Sequence, residues 1–75
     1  MKRLYVISGS SSSSAAQVLL SHTGISYETI DVSDRNSLAA LYRDLEIGVL
    51  PAFLTEAGVF EGIEGIRTFV QDHRT

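Results

Sequence analysis

Leu4-Tyr5-Val6-Ile7-Ser8-Gly9-Ser10-Ser11-Ser12-Ser13-Ser14-Ala15 is the stretch whose reading decides the fold. The apolar run from Leu4 to Ile7 has the composition of a strand buried on both faces, which places it in the middle of a sheet. Past the serines, Ala15, Val18, Leu19 and His22 recur at helical spacing. A glycine and five serines between a central strand and a helix mark a junction where small α/β proteins place their chemistry. The N–H groups of a first helical turn have no intrahelical partner and carry positive partial charge. One early serine is expected to cap the helix, which should become regular near Ser13 or Ser14, because serine is a mediocre helix former. Taken as composition alone the serine run would be a flexible linker, but its place inside one small domain argues against that.

Working outward, Lys2 to Ser8 is expected as the first strand and Gly24 as the cap closing the first helix. Ser26 to Val32 alternates, with Tyr27, Thr29 and Asp31 on one side and Ile30 and Val32 on the other, which predicts a second strand. The polar turn from Asp31 to Asn36 leads to Leu38, Leu41, Tyr42 and Leu45, an amphipathic helix beginning near Ser37. Val49 to Thr55 reads as a third strand, with Pro51 near its start, where the missing N–H is tolerated. The short connection Glu56-Ala57-Gly58 predicts an antiparallel hairpin to Val59-Phe60-Glu61. Gly62 should end that strand, and Ile63, Ile66, Phe69 and Val70 mark a last helix to about Asp72. The order is β-α-β-α-β-β-α in a single domain spanning residues 1–75. It predicts a four-stranded mixed sheet with helices on both faces. Strands joined through helices are expected to be parallel, and the hairpin adds an antiparallel edge. Leu4, Val6, Val18, Leu19, Ile30, Val32, Leu38, Leu41, Leu45, Phe53, Ile63, Ile66 and Phe69 are the expected core. Phe60 is expected to be partly exposed near the junction.

Composition narrows the chemistry. The apolar fraction of 44% with 20% charged residues suits a folded chain of 75 residues. No apolar run approaches the about 20 residues that span a bilayer, and the short apolar stretch after Met1-Lys2-Arg3 does not fit a signal peptide. No membrane association and a cytoplasmic location are therefore expected. Net charge is −3 with no basic stripe, so nucleic acid is not an expected partner. The chain has no cysteine, which removes disulfides, thiolate metal sites and thiol chemistry as written. His22 and His73 stand alone, so no metal is expected, and neither is placed to serve as the base of a serine hydrolase. The serines with Gly9 could cradle an anion, but no Lys or Arg assists, and plain helix capping is the favoured reading.

Element order, the strand-glycine-helix junction, Val49-Leu50-Pro51, Tyr27-Glu28-Thr29-Ile30-Asp31-Val32 and Phe60-Glu61-Gly62-Ile63-Glu64 together resemble the glutaredoxin family of the thioredoxin fold. The resemblance runs over almost the whole chain and includes small glutaredoxin-like redoxins. It implies a thiol–disulfide oxidoreductase whose C-x-x-C would fall on Ser10 and Ser13, the first attacking and the second resolving. It implies a cis-proline at Pro51, and a substrate- or peptide-binding surface of Gly9, Ser11, Ser12, Leu50, Pro51, Gly62, Ile63 and Glu64. Partners of that type are a protein disulfide and a reductant, either glutathione or a thioredoxin-reductase-type enzyme, serving a monomer. No cofactor is expected. Glutathione as co-substrate is disfavoured because Ile7 stands where the family often has a basic residue, and Glu61 where it has a glycine or serine. A serine hydroxyl at a helix N-terminus stays un-ionised at neutral pH, whereas a thiol there falls to roughly 3.5–7.5. Either the chain is a Cys→Ser form of a working redoxin, or it is a natural redox-dead binding module.

Overall fold

The computed structural model describes residues 2–74; Met1, Thr75 and the side chains of His73 and Arg74 lie outside the described residues. Its elements are β1 (Arg3–Val6), α1 (Ser11–Ser21), β2 (Glu28–Asp31), α2 (Arg35–Leu45), β3 (Ala52–Thr55), β4 (Gly58–Glu61) and α3 (Gly62–Arg74). They form one four-stranded sheet in the order β2-β1-β3-β4. β1 lies inside because Leu4, Tyr5 and Val6 are all buried, so the strand can be covered on both faces. Leu4 and Val6 face one way and join Ala16, Leu20, Phe53, Ile66 and Val70 under α1 and α3. Tyr5 faces the other way and joins Val32, Leu41, Ile47 and Ala52 under α2.

β1 and β2 are parallel, with Leu4 opposite Thr29 and Val6 opposite Asp31. β3, although reached through a helix, is antiparallel to β1, with Tyr5 opposite Ala52, which corrects the expectation that helix-joined strands run parallel. The reason lies after α2. Glu46 takes a left-handed conformation (φ 56°) as its C-cap, and residues 47–51 carry the chain back to the end of the sheet where β1 and β2 finish. β3 therefore starts at Ala52 rather than Val49, and Val49 is exposed. The hairpin turns on Glu56 and Ala57, since Gly58 already pairs with Thr55.

The helices differ from expectation by small rotations with clear causes. α1 is regular from Ser11 because the Ser10 hydroxyl caps it, earlier than Ser13 or Ser14. Its buried face is Ser13, Ala16 and Leu20, not Ala15 and Val18; Val18 is 58% exposed. The C-cap is His22 rather than Gly24, which takes a positive φ in the following turn. α2 begins two residues early, at Arg35, because the Asp34 carboxylate accepts from the Ser37 N–H at 3.0 Å. Of its apolar stripe only Leu41 is buried. Leu38 and Leu45, expected in the core, are exposed, because Val32 and Ile47 occupy the sheet face beside Leu41.

Phe53 is fully buried and meets Tyr27 and Phe69 edge-on, with ring centroids 5.8 and 5.1 Å away. Phe69 in turn meets the half-buried Phe60 at 5.0 Å. Truncation to Ala at such a site costs about 3–5 kcal/mol, most of what a domain this small holds. Urea titration should therefore find Phe53→Ala largely unfolded and Val18→Ala within about 0.5 kcal/mol of the parent. Equal midpoints would contradict the assigned core.

Candidate functional site

Three chain junctions meet at the end of the sheet where β1 finishes. The β1–α1 loop carries Ser8, Gly9 and Ser10. The segment before β3 carries Leu50 and Pro51, joined by a cis peptide bond. The β4–α3 junction carries Gly62, which follows Glu61, itself paired with Ala52. Because Ala52 lies opposite Tyr5, the three are brought together by strand register alone.

The first junction is a set of local hydrogen bonds. The Ser10 N–H donates to the Ile7 carbonyl at 3.1 Å, and Gly9 makes the turn between them at φ 85°. The Ser10 hydroxyl accepts from the Ser13 N–H at 3.3 Å, while its carbonyl accepts from the Ser14 N–H at 3.2 Å. The Ser13 hydroxyl, only 4% exposed, accepts from the Ile7 N–H at 3.1 Å. Ser13 thus ties helix to strand from inside, whereas Ser11 and Ser12 face solvent.

A second network holds the loop from the β2 side. The Ser33 hydroxyl accepts from the Ser8 N–H at 3.0 Å and donates to Asp31 at 2.5 Å, and the Ser33 N–H donates to the same carboxylate oxygen at 2.8 Å. These bonds, the hydroxyl's first, hold the Asp31 carboxyl below its ordinary 3.8. Beside them, Ser10, Ser14, Gln17, Thr29 and Asp31 line a polar cavity of about 300 Å³. Its one charged lining group is a carboxylate, so an anion at this junction would meet repulsion rather than a cradle.

At the third junction the Gly62 N–H donates to the Pro51 carbonyl at 2.7 Å. Gly62 has φ 71°, and a Cβ there would stand 3.3 Å from Val49 Cγ1, so this close approach suits glycine. Glu61 ties this junction back across the loop. Its carboxylate accepts from the Gly48 N–H at 2.9 Å, which ties β4 to the segment before Pro51. Ile63 and Glu64 continue into the first turn of α3, and Glu64 pairs with Arg67 at 2.7 Å.

No serine hydrolase site is assembled among the described residues. His22 caps the far end of α1, about 16 Å along the axis from the serines. No cluster of three metal-binding side chains occurs among the described residues, and no described helix is long and apolar enough to cross a membrane. The roles of Ser33 in holding Ser8 and of Glu61 in holding Gly48 were not readable beforehand. Both join residues 13 or more apart, and only the D-x-S spacing of Asp31 and Ser33 hints at the first.

No family model and no curated protein sequence matches the chain. Solved structures share its architecture, two of them as follows. One is a mutant of a thioredoxin-like protein, with TM-score 0.79 and 18% identity, covering 100% of both chains. The other is a buckwheat glutaredoxin–glutathione complex, with TM-score 0.76 and 16% identity, covering 95% of this chain and 68% of that one. The chain has a thioredoxin-like α/β fold.

A carboxyl whose folded pKa is depressed stabilises the fold above its unfolded value, and that contribution is lost as pH falls through the folded value. For Asp31 the window opens below about 4. Ser33→Ala removes the first cause, so carboxyl NMR titration should show the Asp31 pKa rising toward 3.8. An unmoved pKa would mean that the hydroxyl does not hold the carboxylate.

Proposed function

We propose that this chain is a glutaredoxin-like thiol–disulfide oxidoreductase domain in which hydroxyls occupy both redox positions, leaving it redox-inactive as written. One observation carries the reading. Ser10 caps α1, and Ser13 sits one turn later, buried, at the sheet end that also presents Leu50, Pro51 and Gly62. A cysteine at the first position would have its thiolate favoured by the N–H groups of the first turn. That thiolate would attack one sulfur of a disulfide, forming a mixed disulfide and expelling the other sulfur as a thiolate. A thiolate at the second position would then attack the mixed disulfide, closing an intramolecular disulfide and releasing the reduced substrate. A hydroxyl completes neither step.

The rest of the reading concerns what the chain grips. Gly9, Ser11 and Ser12 border the attacking position, and Leu50, Pro51, Gly62, Ile63 and Glu64 form the surface along which an extended peptide would lie. The partners are a protein disulfide and a reductant of the glutathione or thioredoxin-reductase type, acting on a cytoplasmic monomer without a bound cofactor. Ile7 in place of a basic residue argues against glutathione. Serine is the nearest isostere of cysteine, and a Cys→Ser form of a working redoxin accounts for both hydroxyls at once.

A second reading, a natural redox-dead binding module, has its own support. Ser13 and Glu61 make specific bonds to Ile7 and Gly48, so the residues that depart from the redoxin pattern are built into the local structure. The test is a double Ser10→Cys, Ser13→Cys variant offered a protein disulfide with either glutathione and its reductase or thioredoxin reductase. The oxidoreductase reading expects turnover with one system, abolished again by Ser10 alone reverting. A folded double variant inert with both would overturn it in favour of the binding module.

A further inference from the structure

α2 turns an apolar stripe toward water as well as toward the sheet. Leu41 alone of its residues is buried, so Leu38, Tyr42 and Leu45 stay exposed, Tyr42 by 67%. Their spacing of four and then three residues aligns them, and it is the spacing of a seam between two paired helices. Scattered singly, such residues would call for no comment. Aligned, they form a surface that another helix can cover.

The charges at the ends of the stripe decide what covers it. Asp34 caps α2 by accepting from Ser37, and Arg43 pairs with Asp44. The side chains of Arg35 and Glu46 have no hydrogen-bond or ion-pair partner among the described residues. Glu61 keeps its charge at Gly48 but forms no ion pair with Arg35. Arg35 shares a surface hollow with Leu38, Ala39 and Tyr42, and Glu46 shares another with Tyr42, so both charges stand on the Tyr42 side of the helix. They lie at opposite ends of it, about 16 Å apart along the axis, too far for either to answer the other within one chain. Two copies of α2 laid antiparallel about a two-fold axis bring each Arg35 to the other copy's Glu46. The same register sets Tyr42 of one copy over Ala39 of the other, a small exposed residue that leaves room for the ring.

We infer that this chain pairs with a second copy of itself through α2, with Leu38, Tyr42 and Leu45 closing on one another and Arg35 meeting Glu46 at each end. A two-fold contact needs a surface complementary to itself, and opposite charges at opposite ends of an apolar stripe supply that. Any other occupant would have to carry the same charges in reverse order, whereas a second copy does so by symmetry. One short helix from each copy falls below the about 800 Å² per partner of a stable interface. The chain is therefore a monomer when dilute and pairs as its concentration rises toward millimolar. The pairing goes beyond the oxidoreductase reading and needs neither cysteine nor substrate.

Sedimentation equilibrium of the chain as it stands, serines included, reads the pairing without any redox assay. From micromolar to millimolar concentration the mass should rise toward twice that of one chain. Over the same range, NMR amide shifts should change at Leu38, Ala39, Tyr42 and Leu45 and stay fixed on α1 and α3. Arg35→Glu and Glu46→Lys, both at exposed positions, should each weaken association at least about tenfold, because symmetry counts either change twice. Mixing the two variants should restore it, since in the mixed pair every end again meets its opposite charge. Tyr42→Ser should abolish association and leave the urea midpoint close to the parent's. A parent chain that stays a monomer at millimolar concentration would overturn the inference, as would association that persists in Tyr42→Ser. Association lost in both charge variants but not regained in their mixture would overturn it too, because Arg35 and Glu46 would then not meet.

Discussion

Everything in this molecule is hung on a strand of four residues that is covered from both sides. Leu4 and Val6 bury against α1 and α3, and Tyr5 buries against the α2 layer. Each such side chain contributes about 1.5–3 kcal/mol by leaving water. β1 also supplies the ladder on both sides, with β2 parallel and β3 antiparallel, so no other element can be placed before it. The site inherits this geometry. Its first junction leaves the end of β1, and its other two arrive beside that end because Tyr5 lies opposite Ala52 and Ala52 opposite Glu61.

Around that end the backbone is held by side chains of modest size rather than by packing. Ser13 holds Ile7, Ser33 holds Ser8, and Glu61 holds Gly48. Each satisfies an N–H that secondary structure does not, those of Ser8 and Gly48 at the surface and that of Ile7 half-buried. The hydroxyl of Ser13 is therefore more than a placeholder for a sulfur. It accepts a hydrogen bond from inside the junction, a role in which a thiol is weaker.

Much of the architecture is legible in the residues themselves, and the failures have specific causes. Apolar runs, alternation and helical spacing place every element in its order along the chain. The face of α1 is missed by one position because serine is read as polar, while the structure buries Ser13 for its hydrogen bond. α2 shows a clean apolar stripe at Leu38, Leu41 and Leu45, but periodicity cannot tell how much sheet remains to cover it, and Val32 and Ile47 are already there. The antiparallel β3 is missed because the direction of a strand after a helix depends on the return of residues 47–51, which carries no pattern. Glu61 shows the same limit within the site. Its charge is visible in the sequence, but its partner Gly48 is 13 residues away.

The molecule has a firm part, β1 with its two ladders and the α1–α3 layer, and a lightly seated α2 of which only Leu41 is buried. Native-state hydrogen exchange measures this division residue by residue. The β1 amides should exchange only through global unfolding, with a free energy equal to that from urea. The α2 amides around Leu41 should open by a smaller unit, roughly 1–2 kcal/mol below that limit. Amides of α2 exchanging at the same free energy as those of β1 would contradict the account, because α2 would then be as firmly seated as the core and its exposed stripe would need another explanation.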